Sequence, residues 1–198
     1  MNKDIFNFIY LTNFWTQKSG PGSDPKNAQQ WIETVNSFLS REDITTVLDI
    51  GCGDFRIGKA LNLDGKVYTG VDVSSVIIEE VVQYSASNIK FVCDDVETMD
   101  FPETDLILIK DVLMHLPYKS INAIMDKTMK KAKYALICND FKEEEANIDI
   151  SAGQWRNLDL LKNPFNYELK TVCIFRSENH NKIISLYTNP TVENKSSI

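Results

Sequence analysis

Val47-Leu48-Asp49-Ile50-Gly51-Cys52-Gly53-Asp54 is the stretch on which the reading of this chain turns. The apolar run through Ile50 reads as a buried strand that passes into a glycine turn. Such a turn lets a ligand lie close against backbone, because no Cβ stands in the way. The next apolar run, 66–71, ends on Asp72. An acid at the end of a second strand suits paired hydrogen bonds to a ribose diol. A dinucleotide fingerprint starting at Gly51 needs a third glycine at position 56, which is Arg56. Asp49 and Asp54 also put negative charge around the turn. Two carboxylates repel a pyrophosphate and suit a ligand that carries an ammonium and a sulfonium.

Outward from that turn, helix and strand periods alternate. A helix near 55–62 precedes the strand at 66–71, and 74–85 reads as helical. Ile89–Cys93 and Asp105–Ile109 read as strands, 119–131 as a helix and Tyr134–Cys138 as a fifth strand. This alternation predicts a mostly parallel sheet with helices on both faces. Leu169–Phe175 and Ile183–Thr188 are β-like runs joined by polar 176–182, which predicts a closing antiparallel hairpin. Before the core, 3–14 reads as a short aromatic-rich helix. Ser19-Gly20-Pro21-Gly22-Ser23 cannot continue it. Asp24-Pro25 then opens a helix, with Ala28, Trp31, Ile32, Val35, Phe38 and Leu39 on one apolar face. With no repeat or linker, 1–198 is read as one domain. Its parts are an N-terminal helical and lid segment (1–44), a ligand-binding core (45–140), an irregular loop with the hairpin (141–189) and a frayed tail (190–198).

The quoted stretch resembles motif I of class I S-adenosylmethionine (SAM)-dependent methyltransferases, acidic-x-Gly-x-Gly-x-Gly. Asp49, Gly51 and Gly53 match, and Phe55 replaces the last glycine. The resemblance implies a Rossmann-like, seven-stranded α/β fold, with SAM as cofactor and S-adenosylhomocysteine (SAH) as product. It assigns the methionine moiety to Asp49 and the Gly51-Cys52-Gly53 backbone, and the ribose to Asp72 beside Val73. Asp54 either lines the site or caps the helix expected from Phe55. Asp94-Asp95-Val96 is similar to the loop that receives the adenine amino group, with Asp95 the better register and Asp94 the alternative. Phe14-Trp15 and the Ser19–Ser23 segment resemble the opening of a group of little-characterised bacterial methyltransferases. There Trp15 and Ser19 would belong to a lid over SAM. Asn147, Gly153, Arg156-Asn157-Leu158 and Pro164-Phe165 resemble that group too, and Trp155 and Arg156 would shape the acceptor pocket.

Asp105 to Pro117 is similar to the fourth strand and following loop of these enzymes, where the acceptor meets the methyl group. Lys110, Asp111 and His115 are therefore the catalytic candidates. Histidine suits a general base by its pKa, and Asp111, four residues earlier, could orient it from the same helical face. The plainer alternative packs His115 near Pro117. Asp111 and His115 alone do not make a metal site, and His180 is expected to be exposed. The reading is methyl transfer to a small-molecule or glycan acceptor, at a hydroxyl oxygen. The alternatives are methylation of protein or RNA, and a non-catalytic SAM-binding module.

Composition narrows this further. Of 198 residues, 43% are hydrophobic and 25% charged, with formal charge −7, as in a globular domain. The acidic balance argues against a nucleic-acid partner; Lys127, Lys130, Lys131 and Lys133 read as the solvated end of a helix. Cys52, Cys93, Cys138 and Cys173 show no metal or redox spacing, which fits a reducing cytoplasm. No signal peptide or apolar run of the roughly 20 residues a membrane span needs is evident. A cytoplasmic monomer or homodimer is expected.

Overall fold

The computed structural model describes residues 2–178 and 180–193. Seven strands form one sheet: β1 (Thr46–Ile50), β2 (Val67–Asp72), β3 (Ile89–Cys93), β4 (Thr104–Lys110), β5 (Ala132–Phe141), β6 (Lys170–Ser177) and β7 (His180–Thr188). Their order is β3-β2-β1-β4-β5-β7-β6. The first five pair in parallel, and β7 runs antiparallel to both β5 and β6. This is the mostly parallel, Rossmann-like sheet with a closing antiparallel hairpin that the sequence predicts. The helices are α1 (Asn2–Thr12), α2 (Gln29–Leu39), α3 (Ser75–Val81), α4 (Tyr118–Lys131) and the short α5 (Pro190–Glu193).

Both faces of the sheet are covered, so Leu106, Ile107, Leu108 and Ile109 of β4 are all buried without alternation. Ile107 and Ile109 pack on one side with Ile121, Ile124 and Met125 of α4. Leu106 and Leu108 pack on the other with Trp31 and Val35 of α2. The chain winds outward from β1 to β3 and then returns to β4 on the opposite side of β1. That reversal opens a crevice at the carboxyl ends of β1 and β4, the place where open α/β sheets receive ligands.

Several local expectations change. The helix predicted at 55–62 is a single 3-10 turn, Gly58–Ala60. Phe55 has φ 62°, and its ring packs against Tyr68 and Phe91. The residue that replaces the motif's last glycine is thus spent as a core plug. Asp24 accepts a bond from the Lys26 amide, but the helix itself starts only at Gln29. The hairpin is tighter than predicted. Ser177 pairs with His180, so Arg176 and Lys182, expected in the connection, lie within strands. These ends were hidden because Arg176-Ser177 and His180-Asn181-Lys182 are polar, so no hydrophobic period marks them in the sequence. The tail expected at 190–198 begins as helix α5, and 194–198 lie outside the described residues. No helix among the described residues is long and apolar enough to cross a membrane.

Candidate active site

A cavity of about 420 Å3 fills the crevice. One end of it is built from strand ends. Asp49, the penultimate residue of β1, faces the cavity and accepts a hydrogen bond from the Tyr68 hydroxyl at 2.5 Å. Burial raises its carboxyl to about 7, against the Tyr68 bond and the Lys110 charge, which both lower it. Gly51 follows with φ 71°, and a Cβ there would stand 2.3 Å from the Val112 side chain. Only glycine satisfies both the left-handed backbone and that approach. Asp72 closes β2 and accepts from the Gly53 amide at 3.2 Å and the Ser74 amide at 2.9 Å. Burial raises it to about 6, although those amides lower it. Burial also pushes the Cys52 thiol up, which disfavours a thiolate there. Two enclosed carboxyls tuned near neutrality, with Lys110 the cation acting on Asp49, form a receptor for a cation and for hydroxyl groups.

Val73, Asp95 and Val96 line the cavity beyond Asp72, whereas Asp94 does not. Asp94 turns outward and accepts from the Asp95 amide. Asp95 is itself approached by Asn2 of α1, which also donates to Glu97.

The N-terminal segment forms a strap over the cavity. Asn13, Thr16, Gln17 and Lys18 all have positive φ, so the chain coils tightly after α1. Ser19 Oγ accepts from the Asp54 amide at 2.9 Å and lies 3.3 Å from the Tyr10 hydroxyl. Arg56, paired with Asp54 at 2.8 Å, donates to the carbonyls of Gln17 and Gly20. The arginine that departs from a dinucleotide fingerprint is therefore the buckle of the strap. Asp54 both lines the cavity and holds this buckle.

The other end carries a chain of charges. Lys110 Nζ donates to the Gly22 carbonyl at 2.8 Å and to Asp111 Oδ2 at 2.5 Å. Lys182 Nζ donates to Asp111 Oδ1 at 2.8 Å and to Asp140 Oδ1 at 2.5 Å. The Trp155 indole N–H donates to Asp140 Oδ2 at 2.7 Å. Burial alone would raise Asp111, but the two ammonium groups outweigh it and hold the carboxyl well below its usual range. Asp111 therefore stays ionised and makes a poor proton acceptor.

Asp111 also does not orient His115. Its φ of 55° turns the chain away before the 3-10 turn Leu113–His115, so the two residues share no helical face. The His115 partner is the Gln154 carbonyl, 2.8 Å from Nδ1. A carbonyl only accepts, so the neutral ring carries its proton on Nδ1 and leaves the Nε2 lone pair free. Burial lowers the pKa of His115, which keeps the ring neutral. Its face lies against Trp15, with ring centroids 4.6 Å apart. His180 is exposed, as expected, yet reaches the cavity mouth beside Trp155.

Arg156 is corrected by the structure. It is buried, does not line the cavity, and donates to the Leu113 carbonyl at 3.4 Å with its guanidinium over the Tyr118 ring. It braces the turn that carries His115 from behind. Lys182, Asp140 and Tyr10 were missed. Lys182 and Asp140 are cross-strand neighbours on β7 and β5, a pairing that needs the sheet register to be seen.

The sheet order and the strand-end cavity are those of a Rossmann-like fold shared with methyltransferase structures solved with bound SAM or SAH. Residues 47–135 match the family model described as a methyltransferase domain. A 76-residue stretch is 36% identical to the ubiquinone biosynthesis O-methyltransferase of Coxiella burnetii, covering 36% of this chain and 32% of that protein. The chain thus matches about a third of the length of that curated relative. Magnesium protoporphyrin IX methyltransferase from Synechocystis PCC 6803, solved with bound SAH, shares the fold. Its TM-score is 0.70 at 15% identity, over 96% of this chain and 100% of that one. The 1,6-didemethyltoxoflavin-N1-methyltransferase of Burkholderia thailandensis aligns with TM-score 0.68 at 16% identity, over 94% and 87% of the two chains.

Proposed function

We propose that this protein moves the methyl group of SAM to a hydroxyl oxygen of a small-molecule or glycan acceptor, with His115 as general base. The observation that carries the proposal is the Nδ1 bond from His115 to the Gln154 carbonyl, which leaves Nε2 as a neutral acceptor at the cavity. SAM supplies an electrophilic methyl carbon on a sulfonium that departs as a neutral thioether. Asp49 and the Gly51-Cys52-Gly53 turn hold the methionine moiety, Asp72 and Val73 the ribose, and Asp95 and Val96 the adenine. Trp15 and Ser19 cover the ligand, and the strap excludes water. Lys110 anchors the strap through Gly22. Trp155 forms a wall at the acceptor end. The chain acts as a single domain, as monomer or homodimer.

The small-molecule class is supported by the relatives, whose names refer to ubiquinone biosynthesis, a porphyrin and a toxoflavin precursor. The size of the cavity, about 420 Å3, and the net charge of −7 support it over nucleic acid. His115→Ala is expected to lower SAH formation by about 10²–10⁴-fold, with calorimetric SAM affinity unchanged. In the unaltered protein, the rate should rise with pH through a pKa below 6.5 and then level. Unimpaired turnover by His115→Ala removes the base from this reading, as for an acceptor that is already anionic or a neutral amine.

A further inference from the structure

Lys182 is buried at 4% exposure, and its ammonium lies at the cavity. An ammonium has three N–H donors. Two are taken by Asp111 and Asp140, and no third partner occurs among the described residues. The space above it is kept open by a missing side chain. A Cβ on Gly22 would stand 2.9 Å from Asp111 Oδ2 and 3.7 Å from Lys182 Nζ. The strap crosses this charge cluster as bare backbone.

Every carboxylate oxygen here already accepts a hydrogen bond. Asp111 gives one oxygen to Lys110 and the other to Lys182, and Asp140 gives one to Lys182 and the other to Trp155. A protonated amine entering this end finds no unoccupied carboxylate oxygen in the cluster. Glu178 stands at the exposed mouth and already accepts from Asn27. An oxygen finds a free N–H on a cation. The two lysines balance the two aspartates, so a negative charge forming there meets no net repulsion. The walls are flat: Trp15 against His115, and Trp155 pinned by its indole N–H beside His180.

We infer that the acceptor is an acidic hydroxyl on a planar ring, a phenol or enol, and that Lys182 holds its oxygen as the anion. The inference rests on the oxygen-methylation reading and narrows it. The hydroxyl proton passes to His115 Nε2, and the electron pair stays on the oxygen beside Lys182. That pair forms the new C–O bond while the C–S pair remains on sulfur. His115 and Lys182 line the same cavity, which places the two groups in one compartment.

The test uses 4-nitrophenol, whose anion is yellow, with protein saturated in SAH. Calorimetry with SAH comes first, and no binding at that step overturns the methyltransferase reading itself. With SAH bound, the absorbance titration of bound 4-nitrophenol should shift about 1–3 pH units below that of the free phenol. Lys182→Met should abolish the shift while SAH affinity is kept. An unshifted or upward titration, or no phenol binding to the SAH-loaded protein, overturns the inference alone. Should Lys182→Met fail to fold, the titration of the unaltered protein decides. With labelled SAM, catechol should be methylated, but benzyl alcohol and benzylamine should not. In a folded variant the catechol rate should fall by about 10²-fold. Equal labelling of benzylamine by the unaltered protein refutes the assignment.

Discussion

Asp49 and Asp72 are two side chains whose value depends on what sits between them. Both carboxyls are raised by burial, to about 7 and about 6. A carboxyl raised in the folded state holds a proton that the unfolded chain releases near pH 4. Its contribution to stability is therefore full below that pH and is lost as pH rises through 6 and 7. A bound cation reverses the preference, because it favours the ionised acids. SAM affinity should accordingly weaken as pH is lowered from 8 to 5.5, with proton release on binding at pH 6.5 by calorimetry in buffers of different ionisation enthalpy. Asp49→Asn keeps the Tyr68 bond and removes the charge. It should stabilise the ligand-free protein at pH 8 by on the order of 1 kcal/mol and weaken SAM by about tenfold or more. A variant that is both less stable and equally tight would contradict this account of Asp49.

At the scale of elements, the strap is the part whose role depends on a few bonds. It coils through four non-glycine residues of positive φ and is buckled by Arg56 to the Gln17 and Gly20 carbonyls. Such coiling costs roughly 1 kcal/mol or more per residue, so the buckle and the Ser19 bond hold it down. Arg56→Ala should leave global unfolding within about 1 kcal/mol of the original. SAH release in stopped flow should quicken several-fold, and trypsin should cut sooner at Lys18. Unchanged release and cleavage would show that the strap is held by other contacts. The hairpin makes a different point. Periodicity predicted two strands correctly but lost their inner ends, because Arg176-Ser177 and His180-Asn181-Lys182 are polar and carry no hydrophobic period to read. Lys182 was hidden in that lost margin.

Across the whole molecule, the cavity draws on α1, the strap, β1, β2, β4, β5 and β7, so ligand binding and folding are coupled. SAM at a hundred times its Kd should stabilise the domain by about 2.7 kcal/mol. For a domain of this size that is roughly 5–10 °C in Tm, read by differential scanning fluorimetry. A Tm indifferent to SAM would mean that the cavity does not close on it. The alternation of strand and helix, the glycine turn and the paired acids were legible in sequence because each is local: hydrophobic period, turn chemistry and strand-end position are all written within a few residues. Where those local patterns meet is not local. Which of Asp94 and Asp95 faces inward depends on one backbone turn. The partner of His115 is a carbonyl 39 residues away, and Lys182 reaches Asp140 and Asp111 across 42 and 71 residues. Sheet register and loop direction set those meetings, so the sequence alone determined the scaffold and its glycine-and-acid turn, while tertiary structure decided how the far end of the cavity is charged.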